Sequence, residues 1–165
     1  AVSEKKIKLN SDGMAWRPFI HIIDACKAIF LSIESFNNKV DRQILNIGST
    51  EENYRIIEIA KIIENIVKNS KIVFLNKNDA TVFADKKIQD GVDSRTYKVN
   101  FKKAKKYIDF ETNYKVSDGV RHMKEKFEEI NLTSKKLKEI NFYRFQKMNE
   151  LYETGKINEN LLWKK

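Results

Sequence analysis

The feature that most restricts the fold is a succession of three segments: an apolar run, a helical stripe and a second apolar run. Phe19–Ile23 is too apolar for a strand with a wet face. Ala25, Ala28, Ile29, Ser32 and Phe36 then recur at helical spacing. After the polar stretch "NNKVDRQ" comes "ILNIGS", Ile44–Ser49, a short strand ending in glycine. Strand, helix and strand in this order predict a βαβ unit, with the two strands parallel in one sheet and a right-handed crossover between them. Asp24 stands at the first junction, where a carboxylate can cap a helix by accepting its unpaired N–H groups.

The remaining chain continues the mixed pattern. "KIKLN", Lys6–Asn10, alternates as a strand does, and "SDG", Ser11–Gly13, has turn chemistry. Asn53 is placed to cap a second helix, whose stripe is Ile56, Ile59, Ala60, Ile63, Ile66 and Val67. "KIVFLN", Lys71–Asn76, is strand-like, and the polar stretch "KNDATVFADKKIQDGVDSR" predicts a long loop of the kind that carries function. "TYKVN", Thr96–Asn100, is extended, and the lysine-rich turn "FKKAKKYI" follows it. A further amphipathic helix is "VSDGVRHMKEKFEEI", buried through Val120, Met123, Phe127 and Ile130. The tail from Ser134 is helical to about Tyr152 and turns at Gly155.

At 165 residues the chain is long enough for one core and short for two. No apolar run approaches the roughly 20 residues of a membrane span. The first residues, "AVSEKKIKLN", lack the apolar stretch of a signal peptide. The single cysteine, Cys26, rules out an internal disulfide and suits a reducing cytoplasm as an apolar filler. Net charge is +9, and the excess lies in residues 97–126 and 133–165, at +5 and +4. A basic C-terminal half attracts phosphate, whether in a nucleotide or in nucleic acid, and is equally consistent with a solvated lysine-rich surface.

The five glycines lie at least 28 positions apart, so no glycine-rich phosphate loop is present. Two distant histidines and one cysteine make no zinc site. His21, within an apolar run, is expected to be a satisfied core histidine, and His122 lies on an exposed helix face. Two tyrosine–lysine pairs at four-residue spacing, Tyr143/Lys147 and Tyr152/Lys156, are accounted for by helix surface.

Four segments taken together, "DGMAWRPFIHIIDACKAI", "ILNIGSTEENYRIIEIAKII", "DSRTYKVNFKKAKKYIDFETNYKVSDGV" and "LYETGKINENLLW", resemble the C-terminal half of the extended short-chain dehydrogenases/reductases. These form the NAD-dependent epimerase/dehydratase family acting on nucleotide sugars. The resemblance implies an α/β fold: the C-terminal part of a Rossmann-type epimerase, with one βαβ unit and a small mixed α/β substrate domain. Residues 1–18 would form a substrate-domain strand and turn. Residues 19–48 would complete the nucleotide-binding sheet, 49–132 would form the substrate domain, and 133–165 a basic helical tail. The family's dinucleotide loop and catalytic tyrosine–lysine pair have no counterpart here. The resemblance therefore implies NAD(P) in a complete enzyme, none bound by this chain alone, and a missing N-terminal Rossmann half as partner.

In that reading the substrate is a nucleotide-diphosphate sugar. Arg17 and Arg95 would grip its diphosphate, because guanidinium forks match phosphate oxygens. Asp93 would accept from a ribose or sugar hydroxyl, or fix its own loop. Trp16 would pack on a base or sugar, or in the core, and Tyr97 would stand at the rim. No residue is expected to be catalytic and none to bind metal. A homodimer is compatible, since a truncated parallel sheet has an unpaired edge. The alternative is a basic nucleic-acid-binding or protein-interaction module without catalysis.

Overall fold

The computed structural model describes residues 1–35, 40–75, 95–137 and 143–164. Their order is β1 (Lys6–Leu9), β2 (Trp16–Pro18), α1 (Ile22–Glu34), a 3-10 turn (Thr50–Glu52), β3 (Asn53–Arg55), α2 (Ile56–Ile66) and β4 (Lys71–Phe74). Then follow α3 (Lys102–Ile108), α4 (Val116–Glu129), α5 (Ser134–Leu137) and α6 (Arg144–Glu153). The fold is mixed α/β, as expected. Among the described residues no helix is long and apolar enough to cross a membrane.

The two short sheets are not those the first pattern predicted. β1 and β4 pair in parallel, with Ile7 opposite Ile72 and Leu9 opposite Phe74. β2 and β3 pair antiparallel, with Trp16 opposite Arg55 and Arg17 opposite Tyr54. Phe19–Ile23 is not a strand. Pro18 has no N–H for a continuing ladder, and the His21 imidazole accepts from Ile23 N–H at 3.2 Å, so α1 starts at Ile22. The stripe that reveals this start is Ile22, Cys26, Ile29 and Ile33, each about one turn from the next. Ile44–Ser49 is not a strand either. No ladder partner lies beside it among the described residues, and a parallel strand without one has nothing to hold it extended. The expected βαβ unit over 19–49 is thus corrected.

Asn53 does not cap α2. It lies in β3, and Arg55 is the N-cap, its N–H taken by Glu58 Oε2 at 2.6 Å. On α4, Met123 and Ile130 are exposed rather than buried. Cys26 is exposed rather than a filler. Phe36 and nearly all of the predicted long loop lie outside the described residues.

Among the described residues two small hydrophobic clusters organise the interior. Ile7, Leu9 and Ala60 bury β1 and β4 under α2, with Ile56, Ile57, Ile63 and Ile72 around them. Ala28, Ala104, Ile108 and Phe110 join α1 to α3, with Leu31, Leu45 and Ile47 at their edge. Gly13 enables the turn before β2. It sits at φ +74°, and a Cβ there would lie 2.9 Å from the Cβ of Ile57.

The largest fully buried side chain among the described residues is a carboxylate, Asp24. It is not the helix cap but sits in the first turn of α1. Its Oδ1 accepts from Asn113 N–H at 2.9 Å and its Oδ2 from Tyr114 N–H at 3.0 Å. The next two N–H groups also meet carboxylates: Lys115 donates to Asp118 at 2.9 Å and Val116 to the buried Glu52 at 2.8 Å. Three acidic side chains from three elements thus satisfy four consecutive donors. These donors lead into α4, where unpaired N–H groups favour negative charge.

Candidate functional site

The antiparallel β2–β3 register sets out the site. Arg17 leaves β2 opposite Tyr54, and Trp16 leaves it opposite Arg55. The segment 96–101 then lies along this ribbon, held largely by side chains rather than by a full ladder. Trp16 N–H donates to Thr96 Oγ1 at 3.0 Å, and Tyr97 N–H reaches the Trp16 carbonyl at 3.4 Å. Asn53 ties the other end: its Oδ1 accepts from Val99 N–H at 2.9 Å, and its Nδ2 donates to the Val99 carbonyl at 3.0 Å.

Arg17 is locked onto this segment. Its Nη1 donates to the Trp16 carbonyl at 2.7 Å and to the Arg95 carbonyl, and its guanidinium lies over the Tyr97 ring, 5.0 Å from the centroid. Trp16, Arg17, Arg95 and Tyr97 therefore come together across 78 positions of sequence. The contact between the two arginines runs through the Arg95 carbonyl. Asp93 lies outside the described residues.

Sequence reasoning missed the cations around Trp16. Lys98 Nζ stands 3.7 Å from the centroid of the indole and the Arg55 guanidinium 5.1 Å from it. Cations over an indole face are attracted by its π density. Arg55 could be found only by pairing β2 with β3, which the expected parallel strands obscured. Trp16 also borders a shallow depression of about 400 Å³, shared with Asn53, Tyr54, Glu58, Lys61 and Ile62. Burial, and next the Glu52 carboxylate that accepts from its hydroxyl at 3.3 Å, hold the Tyr54 phenol above its ordinary pKa. Tyr54 is thus a neutral hydrogen-bonding group at neutral pH and is not poised as a base.

Among the described residues no group of three or more histidine, cysteine or acidic side chains could hold a metal ion. The cluster's chemistry is that of grip: fixed positive charge, aromatic faces and backbone donors, with no aligned nucleophile and base.

Residues 1–48 match the NAD dependent epimerase/dehydratase family. The match takes in β2, with Trp16 and Arg17, and α1, and stops before β3. A stretch of 61 residues is also 36% identical to the bifunctional polymyxin resistance protein ArnA of Wigglesworthia glossinidia brevipalpis. That stretch is 37% of this chain and spans about a tenth, 9%, of the length of that relative. Arg95 and Tyr97 lie beyond the family match, so their place in the site rests on the geometry alone.

Proposed function

We propose that this chain forms the substrate-gripping part of an NAD-dependent nucleotide-sugar epimerase or dehydratase. Arg17, Arg95, Trp16 and Tyr97 would hold the diphosphate and its attached groups. The observation that carries the reading is the seating of Arg17, from the family-matched segment, on residues 95–97. An arginine already oriented by a carbonyl and an aromatic face loses little freedom when it meets phosphate. Holding the remote diphosphate would position the reacting sugar carbon.

The residues present do not fit the dinucleotide. Their glycines are too far apart to form its phosphate loop, and Gly48 sits at φ +154° where a Cβ would strike Phe101 at 2.8 Å, a packing role. In the complete enzyme NAD would supply the hydride acceptor, held by an N-terminal Rossmann half outside this sequence. The exposed apolar side of α1 supports such a partner, as does Ile44–Ser49, which has no ladder among the described residues and leaves Ile44 85% exposed.

Calorimetric titration with UDP-, GDP- and dTDP-sugars tests the reading, with a short duplex as the competing ligand. Sugar-nucleotide binding should weaken at least about tenfold in Arg17→Ala, the loss of one charge-assisted phosphate contact. Duplex binding that is steeply salt-dependent, with no sugar-nucleotide binding, would replace this reading with the nucleic-acid one.

A further inference from the structure

Away from the Trp16 cluster, the fold brings the chain's two histidines together. His21 Nε2 and His122 Nδ1 are 3.1 Å apart across 101 positions of sequence. The Tyr114 ring stacks on His21 at 4.4 Å and 25°, and His122 meets both rings edge-on at 5.1 and 5.6 Å. α4 approaches closely here: a Cβ at Gly119 would lie 3.3 Å from His21 Cδ2.

The hydrogen bonds fix where the protons are. His21 Nδ1 accepts from Ile23 N–H to cap α1, so it carries no proton. The neutral ring then has its proton on Nε2, which faces His122 Nδ1. His122 must accept there, which places its own proton on Nε2. The arrangement holds two protons on four nitrogens.

We propose that this pair is a latch between the start of α1 and α4, released by acid when a third proton enters it. On His21 Nδ1 a third proton would destroy the cap and put a cation at a helix N-terminus, which the helix dipole opposes. On His122 Nδ1 it would set two N–H groups face to face.

The charged groups around the pair decide between these two sites. On the α1 side the carboxylate is Asp24, whose oxygens are taken by Asn113 and Tyr114. On the α4 side stand Lys115, Asp118 and Arg121, the last paired with Asp118 at 2.9 Å. Asp118 is held below the ordinary carboxylate range, first by the Lys115 N–H, then by Arg121 and by His122 itself. The third proton therefore enters at His122, one helical turn from Asp118, because on His21 Nδ1 it would break the cap of α1. The inter-histidine bond then breaks while the cap of α1 survives, so the contact of His122 with α1 is what acid releases, and the start of α4 stays held by Asp24, Glu52 and Asp118. A metal ion on His21 Nε2 would instead push the ring proton onto Nδ1 and against Ile23 N–H, so the geometry favours the proton over a metal.

The test uses the full chain and two variants. His122→Phe keeps a ring but no acceptor, and His21→Asn keeps a capping side chain but no imidazole. Between pH 7.5 and 5.5 the thermal midpoint of the wild type should fall by about 2–4 °C more than that of either variant, the shift expected for one hydrogen bond at this chain length. Nitrogen NMR at pH 7.5 should find both histidines protonated on Nε2. Equal falls in all three proteins, or a proton on His21 Nδ1, would overturn the latch. So would zinc raising the wild-type midpoint but not that of His122→Phe, because the pair would then be a metal site. If His122→Phe does not fold, His21→Asn and the NMR assignment still decide.

Discussion

The two sides of α1 behave as if they belonged to different proteins. On one side Asp24 is fully buried, stapling Asn113 and Tyr114, and Ala28 is 2% exposed against Ala104 and Phe110. On the other, Ile22, Ile29 and Ile33 are 71%, 62% and 77% exposed. Ile29 and Ile33 line a groove of about 440 Å³ that is nearly all apolar, with Ile20 and Ile47. A helix apolar on all sides is one whose every side is buried, and an exposed patch of this kind marks an interaction surface. Among the described residues, only one side of α1 is covered.

The strongest way to break the contrast is at its sealed side. Asp24→Ala removes the acceptor of two N–H groups and should cost about 3 kcal/mol in denaturant unfolding, from two donors left unsatisfied. Asp24→Asn keeps one acceptor oxygen and should cost distinctly less. Ala28→Leu overpacks the same side and should cost about 2 kcal/mol. If either Asp24→Ala or Ala28→Leu left the midpoint unchanged, the sealed side would be no better packed than the open one.

The sealed side also predicts a response to acid. Asp118, which takes the Lys115 N–H beside the two donors held by Asp24, has a carboxyl pKa below its ordinary 3.8. A depressed folded-state value means that Asp118 stabilises the fold above the ordinary carboxylate value. That contribution is lost as the pH falls through the lower folded value. Asp118→Asn should therefore lower stability at neutral pH and converge on the wild type below pH 4, which flattens the acid limb of the stability profile.

Local pattern was legible in the sequence; long-range pairing was not. β1, β4, α2, α3 and α4 lie where alternation or helical stripes put them, because each needs only its own neighbours in sequence. Phe19–Ile23 was misread because a short apolar run suits a buried strand and a helix start equally. The reach of the His21 ring to Ile23 N–H, with the stripe from Ile22 to Ile33, separates the two. The site was half legible. Trp16, Arg17, Arg95 and Tyr97 do meet, but Arg55 and Lys98 join them through the β2–β3 register and the path of residues 96–101. No spacing in the sequence shows either of those. Asp24 looked like a cap because capping aspartates occupy such positions. Its true partners, Asn113 and Tyr114, stand some 90 residues away.

The smallest expected effect sharpens the contrast most. Ile33→Lys places a charge where the sequence pattern demands an apolar residue. Were Ile33 buried within this chain, the substitution would cost several kcal/mol, because an unpaired charge would enter the interior. At 77% exposure it should change unfolding stability by less than about 0.5 kcal/mol, as surface substitutions do. Its effect should appear in association instead. Sedimentation at rising concentration should show less self-association than in the wild type, since the lysine interrupts the exposed apolar patch. A large loss of stability would mean that residues of this same chain cover the face, and the case for a partner on α1 would fall with it.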